Sequence, residues 1–364
     1  MSLVALAFKL IPFKVIITSA EQIPLLAELL DERVGGVKRG WWTKRLDIDP
    51  VLFNKSLRSF GLIEETLLLL EALPNLEIFT IPSFENPIND PVNQGWLMDV
   101  QLDLGKLTRL RRVEWHGSGY DLLDLQRLTQ LCTGLEHVAV TLEPSSEASP
   151  DAVPILHDKI QTLHLNWHEE FNVVSPSFTG WSLPGLQHIT YFVHYGQSIS
   201  MLIPLLRMHG AQLLSLEIPI LDRWAVLPYL SFVLPLVPKL DTIIIDVFKT
   251  DFVGIFNPGH ANLRCVGWRL RVNAAMNDFT TLHAAMQYFN KHLYPKLERV
   301  EIIHPDPLCT YTEWISQHFA QDWNDLVDGE IPVFDYYGNR AVISVEDEAS
   351  VADYEWDGME NLEV

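Results

Sequence analysis

The chain has 364 residues, with 47 acidic and 26 basic side chains, a net charge of −21 and a pI of about 4.9. Such an acidic surface repels phosphate backbones and anionic lipids, so we expect neither nucleic-acid binding nor docking on a membrane. No stretch reaches the roughly 18–20 apolar residues of a membrane span. Three cysteines without a C-x-x-C pair indicate a reducing compartment, which predicts a cytoplasmic or nuclear protein.

The N-terminal part, residues 1–38, is predicted to form a strand and a capping helix. Residues 1–13 are apolar but lack a basic start and a cleavage site, which favours a buried strand or capping element over a signal peptide. A strand is expected over Phe13–Ser19. The run Ser19-Ala20-Glu21-Gln22 has the pattern of a capping box, in which the serine accepts from the helix amides and the glutamine reaches back.

Residues 39–310 repeat one phrase: an apolar residue, two variable residues, an apolar residue, one variable residue and an apolar residue. With the second apolar position as the marker of each copy, six successive steps measure 23–27 residues. Leucine-rich repeats run about 20–29 residues with this phrase. Each phrase also has the alternation of a half-buried strand. The copies are Thr43/Leu46/Ile48, Leu76/Phe79/Ile81, Leu110/Val113/Trp115, Leu135/Val138/Val140, Ile160/Leu163/Leu165, Leu186/Ile189/Tyr191, Leu213/Leu216/Ile218, Leu240/Ile243/Ile245, Leu263/Val266/Trp268 and Leu297/Val300/Ile302.

The segments between the phrases are predicted to be helices and loops. Ile199, Leu202 and Leu206 lie on one helical face that ends at Gly210, and a second helix is expected near Leu282–Leu293. We therefore predict an α/β leucine-rich-repeat solenoid, with parallel strands on a concave face and helices and loops on the convex face. No Asn or Cys follows the strands at the usual position, so the horseshoe should be irregular. A doubly wound α/β domain is the alternative, because it also alternates strands and helices.

The C-terminal part should differ from the array. Residues 311–345 are predicted to be a C-terminal cap, with a helix between Trp314 and Leu326 that covers the open core. Residues 346–364 contain eight acidic residues and no basic residue. A like-charged segment of this kind predicts an acidic disordered tail.

Several segments carry a family resemblance: FKVIITSAEQIPLLAELL at the start, then GWWTKRLDID, LLLLEALPNLEIFTIPSF, CTGLEHVAV, LPGLQHITY and YPKLERVEI. They resemble the region after the F-box in fungal F-box proteins with degenerate leucine-rich repeats. The resemblance implies a substrate receptor of a cullin ubiquitin ligase, with a Skp-type adaptor bound by the F-box and a protein substrate bound by the repeats. A helical F-box should precede the first strand, yet only twelve residues do. The adaptor is therefore expected only if an upstream F-box exists; otherwise the chain is a free-standing binding scaffold.

Binding residues are predicted on the polar positions of the strands, because the concave face is the usual binding face of a solenoid. Three rows of such positions run before, between and after the last two apolar residues of each phrase. The middle repeats are rich in histidine, with a phenylalanine beside them, which suits a peptide groove. The candidate partner-binding residues are Arg112, Glu114, His116, His137, Thr141, His164, Asn166, His188, Thr190, Phe192, Glu217, Asp246 and Arg269.

Neither a metal, nor a cofactor, nor a catalytic role is predicted. His164 and His168 are four residues apart, but they fall on a strand and the following loop, and the H-E-x-x-H order is absent. There is no phosphate loop, G-x-G-x-x-G or G-x-S-x-G motif. The segment His116–Gly119 is interpreted as a turn after a strand. Cys265 near His137 and His188 would be only a loose nucleophile, so an α/β-hydrolase-like enzyme is the least favoured alternative.

Overall fold

The structure is a computed structural model that describes residues 14–19, 22–34, 36–48, 68–81, 107–120, 122–142, 154–168, 178, 180–194, 202–218, 226–247, 259–270, 289–303 and 331–334. Among these residues, twelve strands form one sheet, and β2 (Arg33–Val34) with β3 (Val37–Lys38) forms a separate antiparallel pair. The strands of the large sheet are β1 (Lys14–Ile17), β4 (Arg45–Ile48), β5 (Ile78–Ile81), β6 (Arg112–Tyr120), β7 (His137–Leu142), β8 (Thr162–His168), β9 (His188–His194), β10 (Ser215–Ile218), β11 (Thr242–Val247), β12 (Cys265–Leu270), β13 (Arg299–Ile303) and β14 (Val333–Phe334).

The large sheet is parallel, and its strands follow one another in chain order. The order runs β1-β4-β5-β6-β7-β8-β9-β10-β11-β12-β13-β14, and each strand pairs with the strands before and after it. A doubly wound sheet reverses its strand order at a switch point. The described strands contain no such reversal. The predicted α/β class with parallel strands is therefore confirmed, and the doubly wound alternative is wrong.

The repeated phrase sets the register of the sheet. Leu46 pairs with Phe79, and every later marker pairs with the next one as far as Val300. The same register extends to two strands without the full phrase, because Val15 pairs with Leu46 and Val300 pairs with Val333. The markers stay aligned although the links between them differ in length, so the register comes from burial of the apolar positions.

The apolar positions of the phrase form the core. The marker side chains are at most 2% exposed, and so are the leading leucines and isoleucines of the described phrases. Trp115, Tyr191 and Trp268 occupy the last apolar position of their copies and are also buried. Each fully buried side chain of this size contributes about 1.5–3 kcal/mol of transfer free energy. A one-residue slip of any strand would expose this set and bury its polar face.

The described α-helices are α1 (Gln22–Asp31), α2 (Leu122–Leu131), α3 (Leu202–His209) and α4 (Val226–Val233), and residues 68–71 are also helical. The predicted helix before Gly210 is confirmed as α3, and a single 3₁₀ turn over Gly210–Gln212 follows it. At the start of α1 the glutamine does reach back, but to the residue before the expected serine: Gln22 Oε1 accepts from Thr18 N–H at 2.9 Å.

A tight turn precedes most strands and directs the chain into the sheet. Leu76 N–H donates to Leu73 O, and Leu186 N–H donates to Leu183 O, in turns that contain proline at the second position. Proline fixes φ for that position, so these turns are preorganised. The same bond closes the turns at Leu107–Leu110, Cys132–Leu135, Gly210–Leu213, Val237–Leu240 and Tyr294–Leu297.

Polar side chains at these turns bond to backbone carbonyls of the preceding unit. Asn75 Nδ2 donates to Trp41 O at 2.9 Å, and Gln212 Nε2 donates to Leu183 O at 2.9 Å. Three buried histidines do the same: His157 bonds to Cys132 O, His209 to Trp181 O and His260 to Val237 O. Leu183 O, Cys132 O and Val237 O, which already accept the N–H groups of their own turns, thereby accept a second hydrogen bond from the next unit.

A row of residues stands directly before the strands, charged toward both ends and uncharged at Gln161, Gln187 and Leu214 in the middle. Lys44 O accepts the N–H groups of both Glu77 and Ile78, and this two-to-one bond recurs along the sheet as far as Arg264 O. The side chains of the row alternate in sign at both ends: Lys44 pairs with Glu77 at 2.6 Å, and Arg264 lies 3.5 Å from Asp241 and 3.7 Å from Glu298. Adjacent units therefore attract each other along this edge.

Some predictions fall outside the described residues. The helix between Trp314 and Leu326, the acidic tail and most of the helix near Leu282–Leu293 are among them. The predicted boundaries at 38, 310 and 345 stay predictions, although β1 and β14, which lie beyond the predicted array, join the large sheet. None of the helices in the described part is long and apolar enough to cross a membrane.

Candidate functional site

The three predicted rows of polar positions lie side by side on one face of the sheet. In the middle row Asp47 pairs with Thr80, and Thr80 with Glu114; farther along, His164 pairs with Thr190, and Thr190 with Glu217. Because side chains alternate along a strand, these positions point away from the buried markers. The sheet thus presents one face from β1 to β13 on which most side chains are polar, which we call the polar face. Its middle row is interrupted by Ile16, Ala139, Ile244 and Gly267.

Ion pairs within single strands occupy both ends of this face. Arg45 pairs with Asp47 on β4, Arg112 with Glu114 on β6, and Arg299 with Glu301 on β13. In each strand the arginine stands in the row before the marker and the acid in the middle row, two residues later. His137, the register partner of Arg112, lies 3.7 Å from Glu114.

The acid of β4 is held in its charged form. Burial alone would raise the pKa of Asp47, but hydrogen bonds from Arg45 and Lys14, both at 2.7 Å, outweigh it and hold that pKa below its ordinary value. The neighbouring carboxylate also raises the pKa of Arg45. This end of the face is therefore a network of fixed charges that satisfy one another.

The centre of the face holds a different network, built from five predicted site residues. The rings of His164 and Phe192 lie 5.2 Å apart, and the guanidinium carbon of Arg269 lies 5.6 Å from the centroid of Phe192. Arg269 Nη2 forms an ion pair with Glu217 Oε1, and Thr190 Oγ1 donates to Glu217 Oε2 at 3.2 Å. The network extends from β8 to β12.

Two further predicted residues meet beside this network. Asn166 Nδ2 donates to Thr141 Oγ1 at 3.4 Å, and both side chains are buried. Asn166 Oδ1 is buried as well and accepts no hydrogen bond within the described part of the chain. Asn166 is also the register partner of Phe192, so this pair lies next to the aromatic centre.

The remaining predicted residues are placed by register alone. His188 stands between Thr162 and Ser215 in the row before the markers. Asp246 is the register partner of Arg269, but its side chain is outside the description. His116 lies where the pairing of β6 with β7 is irregular, between Trp115 and Tyr120. The segment His116–Gly119, predicted as a turn, is therefore part of β6, and that prediction is wrong.

The loose nucleophile at Cys265 is not supported by its surroundings. Burial is the main cause that raises the pKa of this thiol to about 12, so it is protonated at neutral pH and a poor nucleophile. Cys132 is similar, because burial raises its pKa to about 12. Among the described residues no group of three His, Cys, Asp or Glu side chains could hold a metal ion.

The sequence prediction missed two sets of residues. One is the repeated Arg-x-Asp/Glu pattern of β4 and β13, which the alignment of the phrases could have revealed because the residues occupy equal positions. The other is the set His157, His209 and His260, which lies at the turns rather than on the strands. These three histidines lie outside the repeated phrase, so an alignment of the phrases does not indicate them.

Comparison with known proteins adds no identity. No protein-family model matches the chain, and no curated protein matches it either. The functional argument therefore depends on the geometry of the polar face and on the sequence resemblance.

Proposed function

We propose that this chain is a non-catalytic protein–protein interaction scaffold, folded as an irregular leucine-rich-repeat solenoid. The strand order and the common register of the repeated phrase support the solenoid, because each unit pairs only with its chain neighbours. The turn side chains support the irregularity. A regular repeat uses an asparagine at the same position of every unit, whereas here the residues that bond to the preceding unit differ from unit to unit.

The observation that carries the binding proposal is the central network of the polar face. Its central side chains (His164, Thr190 and Phe192) are half-buried rather than fully solvated, and an aromatic ring lies among hydrogen-bonding groups. Aromatic anchors with polar groups around them are typical of protein-binding surfaces. The ligand expected on this face is a segment of a protein partner.

Site-specific photo-crosslinking tests this proposal. A benzophenone amino acid replaces His188 on the polar face, and a matched variant carries it at Gln130, which is exposed on α2. After illumination in cells, the His188 variant should yield a defined crosslinked partner that the Gln130 variant does not yield. A partner crosslinked equally at both positions, or at Gln130 alone, would contradict binding on the polar face.

We also propose that the scaffold serves as a substrate receptor of a cullin ubiquitin ligase. The resemblance to fungal F-box proteins with degenerate repeats supports this role. Affinity purification from cells tests it: recovery of a Skp-type adaptor and a cullin together with the chain is the expected result. Recovery of the crosslinked partner without either ligase subunit would favour the free-standing scaffold instead.

A further inference from the structure

The polar face departs from its own charge pattern at β10. On β4, β6 and β13 the acid of the middle row pairs with an arginine two residues earlier on the same strand. β10 carries Glu217 in that row, but Ser215 stands in the arginine position. The side chain of Glu217 is only 12% exposed. A carboxylate this buried requires a counter-ion, and its own strand supplies none.

Arg269 supplies the missing cation from two strands away. It reaches from β12 past β11 to Glu217, and its guanidinium lies over the ring of Phe192. Thr190 orients the carboxylate from β9. An aromatic face and a carboxylate oriented by a hydroxyl therefore converge on one guanidinium. The ring favours a cationic side chain by cation–π attraction, and the carboxylate does so by charge-assisted hydrogen bonding.

Arg269 fits this position incompletely. Its Nε is buried and donates no hydrogen bond within the described residues. A buried donor without an acceptor costs free energy. Arg269 therefore neutralises the charge of Glu217 but leaves its own Nε donor unsatisfied. A cation whose donors are all satisfied at this position would bind there more favourably.

We propose that Phe192, Thr190 and Glu217 form a binding site for an arginine or lysine side chain of the protein partner, and that Arg269 occupies this site in the free protein. The inference rests on the proposed function, since it concerns a partner bound to the polar face. The net charge of −21 favours the approach of a basic peptide. The basic side chain of the partner must displace Arg269, and the free energy of this displacement lowers the apparent affinity for the partner.

Selection of peptides on the purified full-length chain tests the proposal. Random peptides displayed on phage are selected, and the recovered sequences are synthesised and measured by fluorescence anisotropy. We expect an invariant arginine or lysine, whose replacement by neutral citrulline or norleucine weakens binding by about thirtyfold or more. Glu217→Gln should weaken binding of the unaltered peptide to a similar degree.

The decisive variant is Arg269→Met, which empties the site. Because it removes a competitor, it should strengthen binding of the basic peptide by about threefold to tenfold. Arg269→Gln should act in the same direction and serves if the methionine variant does not fold, which thermal unfolding reveals. Arg264→Met breaks an arginine–acid contact in the row before the strands, away from the polar face, and should leave the affinity unchanged.

The outcomes separate this inference from the proposed function. Weaker binding by both Arg269 variants, or recovered peptides that bind the polar face without any basic residue, would overturn the cation site and leave the scaffold intact. Peptides that crosslink to the Gln130 variant rather than to the His188 variant, or no recovered peptides at all, would overturn both.

Discussion

Imidazole rings at the turns connect adjacent units, and His260 shows how. Its Nδ1 accepts from Asn262 N–H at 3.3 Å, so its Nε2 carries the proton that it donates to Val237 O at 3.0 Å. His157 makes the same two bonds, with Lys159 N–H and Cys132 O. Protonation of His260 would place a second hydrogen on its Nδ1, opposite the N–H of Asn262. The neutral ring of His260 is therefore the form that fits the fold.

This geometry predicts a pH-dependent stability. Burial lowers the pKa of His260, and the hydrogen bond to Val237 opposes that shift only in part. The unfolded chain has a pKa of about 6.5 and takes up a proton before the folded chain does, so stability is full above that pH and falls as the pH drops toward the folded value. We expect wild type to lose free energy of unfolding relative to His260→Gln between about pH 7 and pH 5.

Urea denaturation at a series of pH values measures this difference. The internal control is the range above about pH 7.5, where His260 is neutral in both the folded and the unfolded chain. The difference in free energy of unfolding between wild type and His260→Gln should be constant there. A difference that stayed constant through the acidic range would contradict the prediction.

A glycine at a turn is required for a steric reason. Gly210 is buried, and a Cβ added there would collide with the carbonyl oxygen of Leu236 in the turn of the next unit. We expect Gly210→Ala to lower the free energy of unfolding by about 1–3 kcal/mol, because the backbone of one unit must move. Thermal and urea unfolding measure it, and Ala211→Ser, at the exposed neighbouring position, should stay close to wild type. Equal effects of the two substitutions would argue against close packing at this turn.

At the scale of the element, burial determines how much a leucine in or beside β10 contributes to the free energy of unfolding. Leu216 is the marker of β10 and fully buried, whereas Leu214 stands two residues earlier and is 38% exposed. We expect Leu216→Ala to cost about 2–5 kcal/mol and Leu214→Ala to cost within about 0.5 kcal/mol. Urea denaturation of the pair gives the comparison. A larger loss at Leu214 would mean that the register of β10 is incorrect.

The same contrast explains what the sequence could predict of the strands. The phrase places one buried residue on each side of Glu217, namely Leu216 and Ile218. This alternation predicts both the strand and its polar face. β1 and β14 were harder to place, because Val15 and Val333 lack a leading leucine. Their place in the sheet comes from pairing with the strand beside them, which no local pattern records.

The candidate site was predictable only in part, for a related reason. Register rows place His164 beside Thr190, so neighbours on adjacent strands could be expected to be close. The pairing of Glu217 with Arg269 joins residues 52 positions apart across an intervening strand. It depends on the length of the arginine side chain, which a row of aligned positions does not reveal.

At the scale of the whole molecule, charge opposes the fold. A net charge of −21 on 364 residues gives substantial self-repulsion, which salt screens over a Debye length of about 8–10 Å near physiological ionic strength. We expect the melting temperature to rise by a few degrees, about 2–5 °C, between low and physiological salt. Differential scanning calorimetry in a sodium chloride series measures it.

A tail-neutralised variant gives the control for this prediction. Replacement of the eight acids of residues 346–364 by Asn and Gln leaves a net charge of −13, so the melting temperature should depend less steeply on salt. A wild-type melting temperature that fell with added salt would show that the ion pairs of the face and of the edge row outweigh the repulsion.

The direction of the turn bonds has a consequence for how such a gene changes length. His157, Gln212 and His260 each donate backward, to a carbonyl of the unit before their own, and each strand pairs only with its chain neighbours. A duplicated unit therefore contains its own turn donor, and the carbonyl that accepts from this donor is already present in the unit before it. Tandem duplication of a single unit leaves the units on either side with their inherited partners, and only the junction between the two copies is new.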